Sequence, residues 1–289
     1  MNEMSATGLM ERTAEYVGDL YKAHADEKLV YHTITHTQGV VKAAEQIADH
    51  YQLDETDYLA VYISAWFHDT GYLTGLPEEH EQKGAELAAE FLRKEGADPA
   101  LIEKVQQCIL ATKLTSRPVS LIEKIMADAD LFHFGTESFR ESNKSMRREM
   151  ELRYGREIPG GQWRKSAIIM LRQHEFHTDY CRALLQKGKL ENIARLEARE
   201  EEQQQKALKK QQALEAGTTE ASGEKGGPKG KLPGEEATAL KENPAESESA
   251  VLEEDPAGER FSGRKGGSAD KDLPADTGKQ GKKAGKKPA

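Results

Sequence analysis

The sequence is poor in aromatic residues, and nearly all of them precede residue 200. Both tryptophans lie in that first part, and after Arg199 the one aromatic side chain is Phe261. Residues 200–289 consist mainly of Glu, Lys, Gln, Gly, Ser, Ala and Pro. Such a composition cannot bury enough apolar surface to offset the conformational entropy that ordering removes. The sequence therefore predicts a folded domain over residues 1–199 and a low-complexity, disordered tail over residues 200–289.

Cysteine, excess positive charge and long apolar runs are also scarce. The two cysteines, Cys108 and Cys181, are too few for a disulfide framework and indicate a reducing compartment. A net charge of −9 provides no overall basic field, so nucleic acid is not an expected partner. The N-terminus is acidic where a signal peptide needs a basic start, and no window approaches the roughly 18 apolar residues of a membrane span. These absences predict a cytoplasmic protein without a membrane span.

The apolar residues that are present recur at helical spacing, and no segment shows the alternation typical of a strand. Val40, Ala44 and Ile47 fall on one face of a predicted helix. Asp54 or Thr56 is positioned to cap the next one. The predicted helices cover residues 7–24, 35–51, a segment ending near Phe67, 78–95, "DPALIEKVQQCILATK", "PVSLIEKIMADADLF", 136–154, 161–187 and "LENIARLEAREEEQQQKALKKQQALEA". The predicted fold class is all-α, a bundle of about eight or nine helices.

Histidines and carboxylates are concentrated in a few short segments. Nine histidines are present, in segments such as "YHTITHT", "WFHDT", "EEHEQ" and "QHEFHT". Taken singly, each of them has the ordinary explanation of a helix cap or a surface residue. His174 and His177 are one helical turn apart and could chelate, but their spacing is not that of an HExxH motif. Asp128 and Asp130 point to different sides of a helix, so at most one of them is expected to face a site; the other is expected to be solvated or to support a ligand.

The combination of these segments is more specific than any one of them. The order His…His-Asp…Asp, here His36, His68-Asp69 and Asp130, resembles the HD superfamily of metal-dependent phosphohydrolases. "YHTITHTQGVV" is similar to the opening of one bacterial branch, in which the second His is the metal ligand. "SAWFHDTGY", "HEQKGAELAAEFL" and "DADLFHFGTESF" are similar to later segments of that branch. The resemblance covers about residues 28–190 and is specific for the fold and the metal site, but not for the substrate.

The resemblance implies that His36, His68, Asp69 and Asp130 bind one divalent cation. Imidazole and carboxylate together suit Zn, Mn, Fe, Co or Ni, and suit Mg less well. Such an ion activates water as a nucleophile near neutral pH, and Asp69 could also orient or deprotonate that water. The implied enzyme is a metal-dependent phosphohydrolase, either a phosphodiesterase or a phosphomonoesterase.

The sequence departs from other members of the superfamily at several positions. Members with two metals carry two further histidines before the last Asp. His80 fits the first of these positions, but Lys113 stands near the second. Thr70-Gly71 replaces the Glu-Asp of alarmone hydrolases, and the Gly-Tyr-Pro signature of cyclic-di-nucleotide phosphodiesterases is absent. These departures favour a single metal and weaken both of those assignments.

Several residues could contact a phosphorylated substrate. His80 is the first candidate, as a phosphate contact or as an acid to the leaving oxygen. Lys113, Arg117 and Arg148 are candidate phosphate ligands, although most charges near Arg148 are ordinary helix-surface charges. Trp163 could stack on a base, but a tryptophan that packs between helices is the more common case. His32 is expected to support the metal site, by hydrogen-bonding a ligand or by positioning its loop.

The leading hypothesis is hydrolysis of a phosphate ester in a small phosphorylated metabolite, a linear or cyclic nucleotide by analogy with the fold. A second hypothesis is a regulatory domain that senses a nucleotide and hydrolyses little, as in bacterial signalling or defence proteins. A third is an interaction protein that binds a partner through residues 190–215 and the tail. The sequence does not specify the oligomeric state.

Overall fold

A computed structural model describes residues 5–74 and 77–220, with side chains described as far as residue 213. Within these ranges the chain is helical and contains no strand, which confirms the all-α prediction. The α-helices are α1 (Ala6–Ala23), α2 (Ile34–Tyr51), α3 (Glu55–Phe67), α4 (Gly71–Thr74), α5 (His80–Lys94), α6 (Pro99–Leu110), α7 (Leu121–Asp130), α8 (Phe139–Tyr154), α9 (Gly160–Gln173) and α10 (Asp179–Glu220). Short 3-10 helices occupy Pro77–Glu79 and Phe132–Gly135. No helix in the described ranges is long and apolar enough to cross a membrane.

Side-chain caps fix where several helices begin. Asp54, not Thr56, caps α3, because its carboxylate accepts a hydrogen bond from the backbone N–H of Asp57. Asp98 caps α6 in the same way, with Pro99 at the first helical position. Ser120 and Glu123 form a reciprocal capping box at the start of α7. These local interactions are readable from the sequence, so the predicted starts lie within a few residues of the observed ones.

Helix α3 lies inside the bundle and is apolar around much of its circumference. It packs against α1, α2, α5, α6 and α7. Ile63 and Phe67 are fully buried in its second half. Because the helix is surrounded by others, the residues that follow Phe67 are also buried, and His68 and Asp69 are 0% and 4% exposed. The His-Asp pair is therefore held inside the protein by the helix that precedes it.

The single helix predicted over residues 161–187 is interrupted in the structure. Helix α9 ends at Gln173 and α10 begins at Asp179. The buried carboxylate of Asp128 accepts hydrogen bonds from the backbone N–H groups of His177 and Thr178 and from the Thr178 hydroxyl, at 2.6–2.8 Å. These backbone donors are thus bound to a side chain of another helix, which competes with a continuous helix at this point. Helix α10 then continues without the predicted break near residue 190.

Helix α10 extends to Glu220, beyond the residue at which the predicted tail begins. Arg164 of α9 donates to Glu200 (2.9 Å) and to Gln203 (2.5 Å), so this part of α10 contacts the bundle. The rest of the predicted tail, residues 221–289, lies outside the described residues.

Candidate metal centre

Four side chains from three parts of the chain converge inside the bundle. His36 lies in the first turn of α2, His68 and Asp69 directly follow α3, and Asp130 ends α7. Asp69 Oδ2 lies 3.2 Å from His36 Nε2 and 3.0 Å from His68 Nε2. Asp130 Oδ1 lies 3.6 Å from each of the same two nitrogens. The convergence that the resemblance implied for these residues is present in the folded chain.

The orientation of His68 is fixed by a local hydrogen bond. Its Nδ1–H donates to the backbone carbonyl of Ala65 at 2.9 Å. The lone pair of the neutral ring is therefore on Nε2, the nitrogen that faces the two carboxylates. A hydrogen bond of this kind to the distal ring nitrogen is the usual support of a histidine that binds a metal.

Three of the converging atoms are buried and form no hydrogen bond, namely Nε2 of His36, Nε2 of His68 and Oδ2 of Asp69. Their partners within the described residues are the opposite charges of the cluster itself, at ion-pair distances. Buried polar atoms without hydrogen bonds are costly and rare, so three of them at one point need an explanation. His36, His68 and Asp130 each offer an atom within 4.8 Å of the others, as a shared metal ion requires. Asp69 adds a further oxygen, and the combined set suits a divalent transition metal.

The charges of the four side chains depend strongly on one another. Burial alone would lower the pKa of His36, but the carboxylates of Asp130 and Asp69 raise it to about 9. Burial opposes a high pKa of His68 as well, and the same carboxylates raise it well above its usual value. Although burial favours the neutral acid, the neighbouring histidines hold the pKa of Asp69 well below its ordinary range. The site thus pairs two carboxylates with two positive charges, and a divalent cation can take the place of those two protons.

His80 belongs to an aromatic stack beside the centre. Its Nδ1–H donates to the carbonyl of Pro77 at 2.6 Å, and its Nε2 lies 3.8 Å from Asp69 Oδ1. The ring of Tyr72 stacks on His80 (4.1 Å between centroids) and on His32 (3.7 Å). Gly71 makes this arrangement feasible, because a Cβ there would lie 2.0 Å from the carbonyl oxygen of His80. The predicted candidate His80 is therefore next to the centre.

His32 is held by a buried carboxylate that sequence reasoning missed. Glu149 of α8 is 1% exposed and lies 2.5 Å from the Nδ1 of His32. Its other oxygen accepts the backbone N–H groups of Tyr31 (2.8 Å) and His32 (3.0 Å). Glu149 thereby fixes the segment that leads into α2 and His36. It stands among charged residues in "SMRREMELR", and nothing in that pattern distinguishes it from a surface glutamate.

The three predicted phosphate ligands lie on the surface. Lys113 and Arg117 are exposed in the segment between α6 and α7. Arg148 is 61% exposed, 3.8 Å from Glu151. Within the described part of the chain, none of the three forms a hydrogen bond or ion pair with the four central residues.

Other polar residues named from the sequence have structural contacts. His174 packs against the rings of Phe134 and Phe176, and burial together with Lys189 lowers its pKa to about 3. His177 is exposed. Trp163 donates its indole N–H to Asn143 at 2.8 Å and so connects α9 to α8. None of these three belongs to the group of central residues.

Comparison with known proteins gives one family match. Residues 33–135, which include all four central residues, match the family model of the HD domain. No curated protein is significantly similar to the chain. The chain is also similar to a crystal structure of a predicted HD superfamily hydrolase from an uncultured Thermotogales bacterium. That similarity has 26% identity and a TM-score of 0.38, and it covers 53% of this chain and 92% of the other.

Proposed function

We propose a function from the premise that this chain belongs to the HD superfamily, a family of metal-dependent phosphohydrolases. The proposed reaction is hydrolysis of a phosphate ester in a small phosphorylated metabolite, with a linear or cyclic nucleotide as the substrate class. The observation that supports it best is the group of three buried atoms without hydrogen bonds on His36, His68 and Asp69. The nucleotide is proposed by analogy with the fold, because no residue at the centre is identified as reading a base.

One divalent ion is proposed to bind between His36, His68, Asp69 and Asp130. HD domains bind divalent metals, and this cluster of side chains could hold one. When bound, the ion supplies Lewis-acid activation of water and of the phosphoryl group. The proposed identities are Mn, Fe, Co, Ni, Zn or Mg. Two imidazoles favour the transition metals over Mg, which prefers oxygen ligands.

The chain's own residues are proposed to orient water and to move protons. Asp69 is held as a carboxylate by the histidines, so it can orient or deprotonate the attacking water. His80 presents Nε2 beside Asp69 and is proposed to contact the phosphate or to protonate the leaving oxygen. His32 is proposed to act as a support, because Glu149 fixes its ring beside Tyr72. Lys113, Arg117 and Arg148 stay proposals for contacts with the substrate phosphate.

Metal content is the first test of the proposed function. Purified protein should contain about one transition-metal ion per chain by elemental analysis. His68→Ala and Asp69→Ala should both lose it, whereas His24→Ala, at an exposed position on α1's C-terminal cap, should retain it. If His68→Ala or Asp69→Ala kept both metal and activity, the assignment of the centre would be wrong.

A substrate panel is the second test. The protein loaded with Mn, Co, Ni or Mg should hydrolyse at least one of a set of nucleotides, cyclic nucleotides, sugar phosphates and generic phosphate esters. A wild-type protein that holds metal and binds a nucleotide without turnover would favour the alternative, a sensing or regulatory HD domain. A protein that retains no metal would contradict both.

A further inference from the structure

Arg153 lies beside the aromatic stack, in the last turn of α8. Its side chain is 16% exposed, and its guanidinium carbon is 4.8 Å from the centroid of the Tyr72 ring. That same ring stacks on His80 and His32. The guanidinium therefore contacts the aromatic stack beside the centre, and among the described residues it forms no hydrogen bond or ion pair with the four central ones. Sequence reasoning did not single out this arginine.

Arg153 forms no hydrogen bond through any of its side-chain donors within residues 5–74 and 77–213. A guanidinium carries five N–H groups, and Nε of Arg153 is buried without a hydrogen-bond partner. Glu149 Oε1 lies 3.3 Å from Nε, at ion-pair distance but not in hydrogen-bond geometry. The Nη atoms are not among the buried atoms without partners, so they reach solvent and are free to donate to a bound anion.

The ordinary explanation, that Arg153 only neutralises Glu149, accounts for part of this arrangement. Glu149 accepts three hydrogen bonds, from His32 and from two backbone N–H groups, which leaves about one acceptor site for a guanidinium with five N–H donors. Arg147 on the same helix differs, because its Nε donates a hydrogen bond to Glu151 at 3.0 Å. Most donors of Arg153 therefore stay available even when its charge is paired with Glu149.

We infer that Arg153 binds a second oxyanion of the substrate, a carboxylate or phosphoryl group other than the one that reacts at the metal centre. This inference rests on the proposed function. Arginine binds such groups through two parallel N–H donors, which suits a planar fork with unpaired N–H groups. Arg153 contacts Tyr72 and Glu149 and none of the four central residues, which favours a group displaced from the reacting phosphate. Arg153 is accordingly a residue that determines specificity for substrates with more than one anionic group.

Binding of non-hydrolysable phosphonates tests this inference without turnover. Calorimetric titrations would compare phosphonocarboxylates and alkylene bisphosphonates of increasing chain length with alkylphosphonates of matched length. The full-length, metal-loaded protein would be used, and its metal content would be measured before and after each titration. Wild type should bind at least one doubly anionic ligand about tenfold more tightly than its alkylphosphonate match, a size typical of a charge-assisted hydrogen-bonded pair. Tighter binding of the phosphonocarboxylates would identify the second group as a carboxylate, and tighter binding of the bisphosphonates would identify it as a phosphoryl group.

Three variants separate binding by Arg153 from a structural role. Arg153→Gln should lose the tenfold preference and keep the affinity for alkylphosphonates. Arg153→Lys should keep part of the preference, because it keeps the charge and loses the fork. Arg140→Gln, which removes an 81% exposed arginine on the same helix, should behave as wild type.

Results that contradict the role of Arg153 differ from a result that contradicts the proposed function. Equal weakening of both ligand classes in Arg153→Gln would mean that Arg153 only shapes the site through Glu149, and an unchanged preference would mean that it binds no substrate group. Either result would overturn the inference and leave the proposed function standing. A metal-loaded wild type that bound no phosphonate at all would contradict the proposed function itself.

Discussion

Two parts of the candidate metal centre are built in different ways. The ligand side consists of His36, His68, Asp69 and Asp130, and the wall consists of His32, Tyr72, His80 and Glu149. On the ligand side, local interactions fix the side chains, such as the bond from His68 to the carbonyl of Ala65 three residues earlier. On the wall, the main contact joins His32 to Glu149, 117 residues away in the sequence. The motif segments that carry the candidate ligands are readable in the sequence, whereas the carboxylate that supports them stands in a charged helix without a motif.

Removing a central carboxylate should have the largest effect. Asp69→Asn keeps the size of the side chain and removes the charge that faces both histidines, so metal affinity should fall by more than the roughly 10–100-fold that loss of a supporting partner causes. Competition titration with a metal indicator measures this affinity. An Asp69→Asn protein with wild-type affinity would mean that the ligand side is not the metal site.

Removing the support on the wall should have an intermediate effect. Glu149→Gln replaces a carboxylate that accepts three N–H groups, and it should lower kcat/KM about 10–100-fold and stability by about 1–3 kcal/mol. Urea denaturation and steady-state kinetics measure the two quantities. Glu141→Gln is the matched control, because Glu141 is 71% exposed on the same helix. Equal kcat/KM and equal stability of Glu149→Gln and Glu141→Gln would contradict the supporting role of Glu149.

The raised pKa of His36 predicts opposite pH dependences for the metal-free and metal-loaded protein. Its folded-state pKa, about 9, exceeds the ordinary value of 6.5, so in the metal-free protein its contribution to stability is fully present below pH 6.5 and is lost as pH rises through 9. Metal binding displaces this proton, so metal affinity should rise with pH over the same window. Thermal unfolding and metal titrations between pH 6.5 and 9 would test this. A metal affinity that is independent of pH would contradict the ligand role of His36.

Shortening the chain should have the smallest effect, and it depends on where the chain is cut. Ending the chain after Glu220 removes residues 221–289 and should leave unfolding and metal content unchanged. Ending it after Arg199 also removes Glu200 and Gln203, the partners of Arg164, and should cost up to about 1–3 kcal/mol. Thermal unfolding of the two shortened proteins distinguishes them. A large loss of stability in the first would contradict the prediction that the tail lies outside the folded domain.

Helices are predicted well from the sequence where a cap or a periodic face marks them. Asp98 with Pro99 and Ser120 with Glu123 are local signals, and both mark helices of the structure. The prediction is wrong at residues 174–178, where the helix is interrupted by hydrogen bonds to Asp128 on another helix. Periodicity carries no information about such a partner. Asp128 is neither solvated nor a support for a metal ligand, because it anchors this loop.

The candidate site also contains residues that the sequence predicts and residues that only the fold identifies. The resemblance to the HD superfamily implies a metal site at His36, His68-Asp69 and Asp130, and the fold brings all four residues together. The surface positions of Lys113, Arg117 and Arg148 cannot be read from the sequence, because a cation that binds a substrate and one that faces water have the same appearance there. Glu149 and Arg153 lie in the charged helix α8, and only packing distinguishes them from their neighbours.

The sequence by itself determined the all-α class, the helix starts that caps define and the residue types of the candidate metal centre. Each of these depends on residues that are close in the chain or on a motif of fixed order. Only the tertiary structure decided that Glu149 holds His32, that Asp128 interrupts a helix and that Arg153 has unpaired donors beside Tyr72. Those outcomes depend on which groups are buried together. A polar side chain in a low-dielectric interior takes whatever partner the neighbouring helices supply.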